Sequence, residues 1–284
     1  MPRISRAAPE TQPAVQAAKR LNRGSAMLAA SVLADSAMEH YRGGFYNPAM
    51  VTPILTSIAA LSTSLHGHND DRQRRHRQRD RLFGLTAATG IAGIGFHLYN
   101  TLKKPGGLSW QNLFYSGPIG APAAILLSGL FGLLAERVRD TPPGETPRIF
   151  GLNAGRVTSL VTSVGLFATS GEAGLLHFRG AFQNPAMFLP VTLPPVAGAL
   201  MGKATFGNSR KERRFTRFWL RLTALLGIAG SGFHIYGVSR AMGGWHNWRQ
   251  NMVDGPPIPA PPSFTGLAMA GLAALALLRA HPED

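Results

Sequence analysis

The sequence predicts an all-α integral membrane protein, with eight transmembrane helices arranged as two tandem four-helix repeats of parallel topology. Three observations predict it. Apolar runs of membrane-crossing length alternate with basic segments, the chain aligns with itself at one fixed offset, and Lys and Arg gather on one side of the resulting topology.

The apolar runs fall at 24–41, 48–66, 82–102, 118–136, 156–178, 185–202, 217–238 and 263–280. Each approaches the roughly 20 residues that cross a hydrocarbon core about 30 Å thick. The 29 Lys and Arg against 14 Asp and Glu would by themselves suit nucleic-acid binding. Their concentration between the apolar runs and at the ends of those runs argues instead for a topology determinant facing anionic headgroups, and no nucleic-acid partner is expected. The chain has no cysteine, which excludes disulfides, thiolate metal sites and covalent c-type haem attachment.

The repeat is direct. His40-Tyr41-Arg42-Gly43-Gly44-Phe45-Tyr46-Asn47-Pro48-Ala49-Met50 aligns with His177-Phe178-Arg179-Gly180-Ala181-Phe182-Gln183-Asn184-Pro185-Ala186-Met187, 137 residues later. At the same offset Gly90-Ile91-Ala92-Gly93-Ile94-Gly95-Phe96-His97 meets Gly227-Ile228-Ala229-Gly230-Ser231-Gly232-Phe233-His234. With one or two residues of slippage Trp110, Gly117-Pro118 and Ala121-Pro122 meet Trp248, Gly255-Pro256 and Ala260-Pro261. The run after residue 23 could pass for a signal peptide, but its counterpart lies in mid-chain and cannot be a cleaved leader.

Taken in order, residues 1–23 form a basic N-terminal tail, 24–138 the first repeat, 139–155 a linker, 156–280 the second repeat and 281–284 a C-terminal tail. Four spans per repeat give both halves one orientation. In that topology 23 of the Lys and Arg fall on one side and six on the other, so both termini are expected in the cytoplasm of a bacterial cell, with the chain multi-pass in the inner membrane. The Asn-Pro-Ala triplets at 47–49 and 184–186 read as N-caps with proline in the first helical position, opening spans two and six. Pro53, Pro190, Pro194 and Pro195 are expected to kink those spans. The stretches 105–122 and 255–262 are expected to be ordered outer loops anchored by Trp110 and Trp248.

Four histidines repeat with this frame. At about 1.5 Å per residue His40 lies roughly 25 Å from Arg23, and His97 roughly 24 Å from Arg81, so both reach the outer leaflet. His177 and His234 repeat the arrangement. Ionisable groups at such depth are costly, and a repeated pair on helices one and three marks a functional site. Gly90 and Gly93 share the helical face of His97, as Gly227 and Gly230 share that of His234, giving strips without bulk. Such strips suit a flat macrocycle; they equally suit close helix packing, and buried histidines also serve as hydrogen-bond partners or bind other metals and substrates. Asp35 and Glu172, equivalent acids five residues before the first histidine of each pair, are proton or quinone candidates or partners across the interface between the copies.

In ligand type, depth and small-residue clearance this constellation resembles the bis-histidine haem b arrangement of membrane cytochromes of the b type. The resemblance implies one or two b haems held by His40/His97 and His177/His234, with Arg42 and Arg179 meeting the propionates. It implies a non-catalytic electron-transfer or anchor subunit serving an extracytoplasmic oxidoreductase and exchanging electrons with quinone. Both sites lie near one face, unlike the familiar four-helix pattern with haems at opposite sides. The other reading is a transporter or channel whose histidines and acids line a solute or proton pathway.

Overall fold

A helix occupies each of the eight apolar runs in the computed structural model, which describes residues 13–142, 144–207 and 209–280. In chain order they are α1 (Pro13–Arg42), α2 (Thr52–Asn69), α3 (Arg77–Leu102), the short α4 (Trp110–Tyr115), α5 (Gly120–Arg139), α6 (Ala154–Arg179), α7 (Leu189–Ala204), α8 (Arg210–Arg240), the short α9 (Trp248–Asp254) and α10 (Pro262–Ala280). Among the described residues, six helical segments, ending at Asn69, Leu102, Arg139, Ala204, Arg240 and Ala280, are long and apolar enough to cross a membrane. The protein is an all-α, multi-pass membrane protein.

Burial sorts the helices into an inner and an outer set. The spans of α5 and α10 are 67% and 72% buried within the protein, against 22% for those of α2, α3, α7 and α8. The outer four therefore present their apolar side chains, such as Leu55, Leu85, Ile91 and Ile228, to lipid. Inside, α1 and α6 pack against α5 and α10 around Leu21, Leu28, Leu166, Leu267 and Leu275. At the α1–α10 crossing Gly24 faces Gly266, and a Cβ on Gly24 would stand 2.9 Å from the Gly266 carbonyl oxygen. Only glycine permits so close an approach, which the membrane environment rewards through backbone contact. Ser25 adds hydrogen bonds of 2.8 Å to the Ser64 hydroxyl and to the Ser128 carbonyl, tying α1 to α2 and α5.

Several boundaries differ from expectation, each for a local reason. Helix α1 starts at Pro13, inside the expected tail, because Val15, Ala17, Ala18 and Leu21 form an apolar stripe that is buried while Arg20 and Arg23 face out. The rest of that tail and the C-terminal 281–284 lie outside the described residues. Asn47 and Asn184 do cap, each accepting from an amide two residues on at 2.9 Å, but the turns they open, Pro48–Val51 and Pro185–Phe188, are 3₁₀. Pro53 and Pro190 then fall in the first turn of α2 and α7, where no intrahelical bond is lost, so neither kinks its helix; only Pro194 and Pro195 lie inside one. The linker folds into a hairpin of β1 (Arg148–Ile149) and β2 (Leu152–Asn153), turned by Phe150 and Gly151 at positive φ, and Asn153 caps α6. Of the stretches expected to be loops, 105–122 instead carries the short α4 and the start of α5, while 255–262 is loop as far as Pro262 and follows the short α9; α4 and α9 each begin at the tryptophan.

At the basic end of the first half, buried charges lock α2, α3 and α5 together. Arg139, fully buried, donates to the carbonyls of Gly67 at 2.6 Å and Asp70 at 2.5 Å, closing the C-terminus of α2. Arg79 pairs with Asp70 at 2.9 Å and Glu136 at 3.1 Å. Burial works to raise the Asp70 carboxyl, but hydrogen bonds from Arg72 and Arg79 and the Arg79 charge outweigh it and hold it well below the usual carboxylate range. The corresponding positions of the second half hold Thr216, Leu275 and Leu278, all buried, so among the described residues the second half has no counterpart of this lock.

Candidate functional site

Each histidine of interest sits near the C-terminal end of its helix: His40 on α1, His97 on α3, His177 on α6 and His234 on α8. Two turns of backbone immobilise the first of each pair. The chain leaves α1 through Gly44 and Phe45 at positive φ, and the Phe45 amide bonds back to the His40 carbonyl at 3.0 Å; Phe182 does the same to His177 at 3.0 Å. The Phe45 ring then stands edge-on to His40 at 6.2 Å, and the Phe182 ring to His177 at 6.1 Å. Sequence pattern alone does not single out these phenylalanines, although both belong to the repeated motif.

The imidazoles share one hydrogen-bonding pattern. Nδ1 of His40 lies 2.6 Å from the Met50 carbonyl oxygen, Nδ1 of His177 lies 2.8 Å from that of Met187, and Nδ1 of His234 lies 2.7 Å from that of Pro257. A carbonyl can only accept, so Nδ1 carries the proton in all three and Nε2 is left as a free lone pair. This is the outer-shell device that orients metal-ligating histidines and fixes their tautomer. His97 finds its partners in the backbone of Gly117 and Pro118.

His40 and His97 line one cavity of about 750 Å³, within the range of cofactor pockets. Its walls are largely apolar, including Leu85, Ala92, Phe96 and Ile125, and Lys103 and Lys104 stand at its rim. In the second half the ring centres of His177 and His234 are 6.5 Å apart with planes at 72°. Two imidazoles bound through Nε2 to opposite faces of one iron at about 2.0 Å would place their ring centres roughly 6.3 Å apart. The donor set of both pairs, the cavity at the first and the ring spacing at the second are compatible with a six-coordinate haem iron. No protein-family model, curated protein or solved structure matches this chain. The site therefore rests on its own geometry.

The supporting cast differs from the sequence expectation in two respects. Gly90 and Gly93 do not clear room for a ligand beside His97: a Cβ on Gly90 would come 2.7 Å from Leu126 Cα, and one on Gly93 2.8 Å from Pro122 Cβ. Gly227 and Gly230 are likewise filled by Pro261, whose carbonyl oxygen and Cβ would lie 2.8 and 2.7 Å away. The space next to these glycines belongs to α5 and to the start of α10, because periodicity reveals a small face without revealing what covers it.

The arginines are also engaged elsewhere. Arg42 pairs with Glu39 at 2.8 Å and donates to the Val253 carbonyl at the end of α9, in the other half of the chain. Arg179 reciprocates, donating to the carbonyls of Leu113 and Ser116 at 3.3 Å and lying over the Phe114 ring at the end of α4. Each arginine thus caps a helix C-terminus across the seam. Lys103 and Lys104 are the cations at the mouth of the cavity; a pair of lysines just past a span reads in sequence as an interfacial anchor, which hid them. Glu172 reaches the backbone of Ile119 and Gly120 at the N-terminus of α5, and Asp35 lies within electrostatic reach of Glu39, Glu172 and Arg42. The two acids meet near the seam, facing away from the histidine of their own helix.

Proposed function

We propose that the protein is a membrane electron-transfer subunit of cytochrome b type, with a bis-histidine b haem held by His40/His97 and another by His177/His234, both near the outer face. The observation that carries this reading is the shared Nδ1-to-carbonyl bond of His40, His177 and His234, which leaves Nε2 of each as a free lone pair, with His40 and His97 lining one cavity and the rings of His177 and His234 6.5 Å apart. Bound there, haem b supplies reversible one-electron chemistry at its iron. The chain's own groups do the rest. The carbonyls of Met50, Met187 and Pro257 fix the tautomer and aim of three of the imidazoles, Phe45 and Phe182 limit rotation, and Lys103 and Lys104 offer charge to carboxylates at the first site.

Eight spans in two parallel four-helix repeats complete the proposal. Helices α1 and α6 are long enough, at 30 and 26 residues, to cross beside the six more apolar helices. Their lower hydropathy suits inner positions, where other helices replace lipid. The Lys and Arg asymmetry supports cytoplasmic termini in a bacterial inner membrane. With both sites at the outer face, the partner is an extracytoplasmic oxidoreductase subunit, and quinone at that leaflet is the second carrier.

An absorption spectrum of the detergent-purified protein tests the reading. We expect a haem b Soret band and a reduced α-band whose intensity falls by about half in His97→Ala and in His234→Ala, and vanishes in the double variant. A colourless preparation that still gains no such bands when haem is added would refute it.

A further inference from the structure

A second cavity, of about 540 Å³, opens at the basic end of the first half between α2 and the N-terminus of α3. Its floor is Ser62, Thr63 and Leu82, within the lipid-facing spans, and its upper wall is the run from Arg74 to Arg79. Three features of that wall select an anion. Helix α3 begins after His76, whose own amide donates to Glu136 Oε2 at 3.1 Å but whose side chain does not cap, so the amides of the first turn from Arg77 onward have no side-chain partner among the described residues. Arg79 is 4% exposed, and its Nη1 has no hydrogen-bond partner among the described residues although Nη2 and Nε face Asp70 and Glu136. Arg74 and Arg77 flank it, exposed and without a carboxylate partner among the described residues. The nearby acids are already engaged, Asp80 by Arg75 and Asp70 by Arg72 and Arg79.

We propose that this cavity binds the phosphate of an anionic phospholipid, with the buried Arg79 Nη1 and the open α3 amides as donors and Arg74 and Arg77 as peripheral charge. The ligand is a lipid and not a free anion because the cavity continues from the basic loop down between two lipid-facing helices to Leu82, which gives acyl chains a place to run. The segment at the equivalent place in the second half has no arginine at the position of Arg79, where Thr216 stands, so the site belongs to the first half alone.

Native mass spectrometry of the delipidated full chain, offered equal phosphatidylglycerol and phosphatidylcholine, tests the proposal. We expect one phosphatidylglycerol retained in clear preference. In Arg74→Gln/Arg77→Gln, which leaves the buried ion pairs intact, its apparent affinity should fall roughly 25-fold, about fivefold per arginine. Arg79→Lys, which keeps the charge but loses the planar fork, should also weaken it, with circular dichroism showing an unchanged fold. Equal retention of the two lipids, or a double variant that binds like the wild type, overturns the site. Displacement by millimolar inorganic phosphate with no preference between lipids shows a free-anion site and overturns the lipid assignment.

Discussion

Gly90→Ala offers a sharp test of how the site is built, because the same helix contains its control. The added methyl would sit 2.7 Å from Leu126 Cα, roughly 0.7 Å short of the shortest ordinary contact, and the obstacle is backbone that no rotamer change can move. Helix α3 must therefore back away from α5, at the cost of overpacking, about 1–3 kcal/mol. At Gly84 and Gly95, on the same helix, nothing lies within 4 Å of the methyl that alanine would add, so the substitution there should be neutral or gain up to about 1 kcal/mol of helix propensity. The propensity gain is common to both variants and cancels, so the predicted gap between Gly90→Ala and Gly95→Ala is about 1–3 kcal/mol. His97 stands seven residues beyond Gly90, about 10 Å along the axis, so the displaced helix also shifts the imidazole against Gly117 and Pro118. Thermal unfolding in detergent reads the first effect, and the intensity of the haem bands at fixed haem concentration reads the second. Equal melting temperatures for Gly90→Ala and Gly95→Ala would refute the account of the glycine strip as a helix contact.

Three further outcomes follow from single contacts. Folded Asp70 holds its proton less tightly than the unfolded residue, so its contribution is complete above the ordinary carboxylate pKa and is lost as pH falls below about 4. At neutral pH Asp70→Asn should cost about 3–5 kcal/mol by leaving Arg79 buried and short of a partner, and unfolding curves of variant and wild type should converge on acidification. Arg179→Ala removes two bonds to carbonyls at the end of α4 and should cost about 1–3 kcal/mol, with faster limited proteolysis across 103–118; Arg179→Lys should recover only part. Asn184→Ala deletes the cap that orders Met187 and should cost about 1 kcal/mol in thermal stability, while its effect on haem affinity, absent in a Thr192→Ala control, reads the hold of the Met187 carbonyl on His177.

The apolar runs and the histidine register were legible because both are carried by short-range pattern: span length, a fixed offset, and proline beside asparagine. What the sequence hid depends on distant partners. Arg42 meets Val253 and Arg179 meets Leu113, and nothing local to either arginine signals a bond across the seam. Gly90 looked like vacant space because spacing along one helix is silent about the neighbour, and Leu126 fills it. The short helices α4 and α9 have six and seven residues, too few for periodicity to register, and they depend on capping by those same arginines. The start of α1 was hidden by charge, since Lys19, Arg20 and Arg23 mask the stripe from Val15 to Leu21 in any average of hydropathy.

The crossed arginines give the chain the logic of an exchange. Each half holds both a guanidinium and an outer helix whose end needs one, yet neither half supplies its own; the bonds run from first to second and from second to first. Such mutual lending is the pattern of an isologous contact, in which two copies of one surface satisfy each other about a two-fold axis. It means that the unit complete in its bonding is the pair, so residues 1–140 and 141–284 produced as separate polypeptides should assemble with one another, and a fragment left alone should seek a twin.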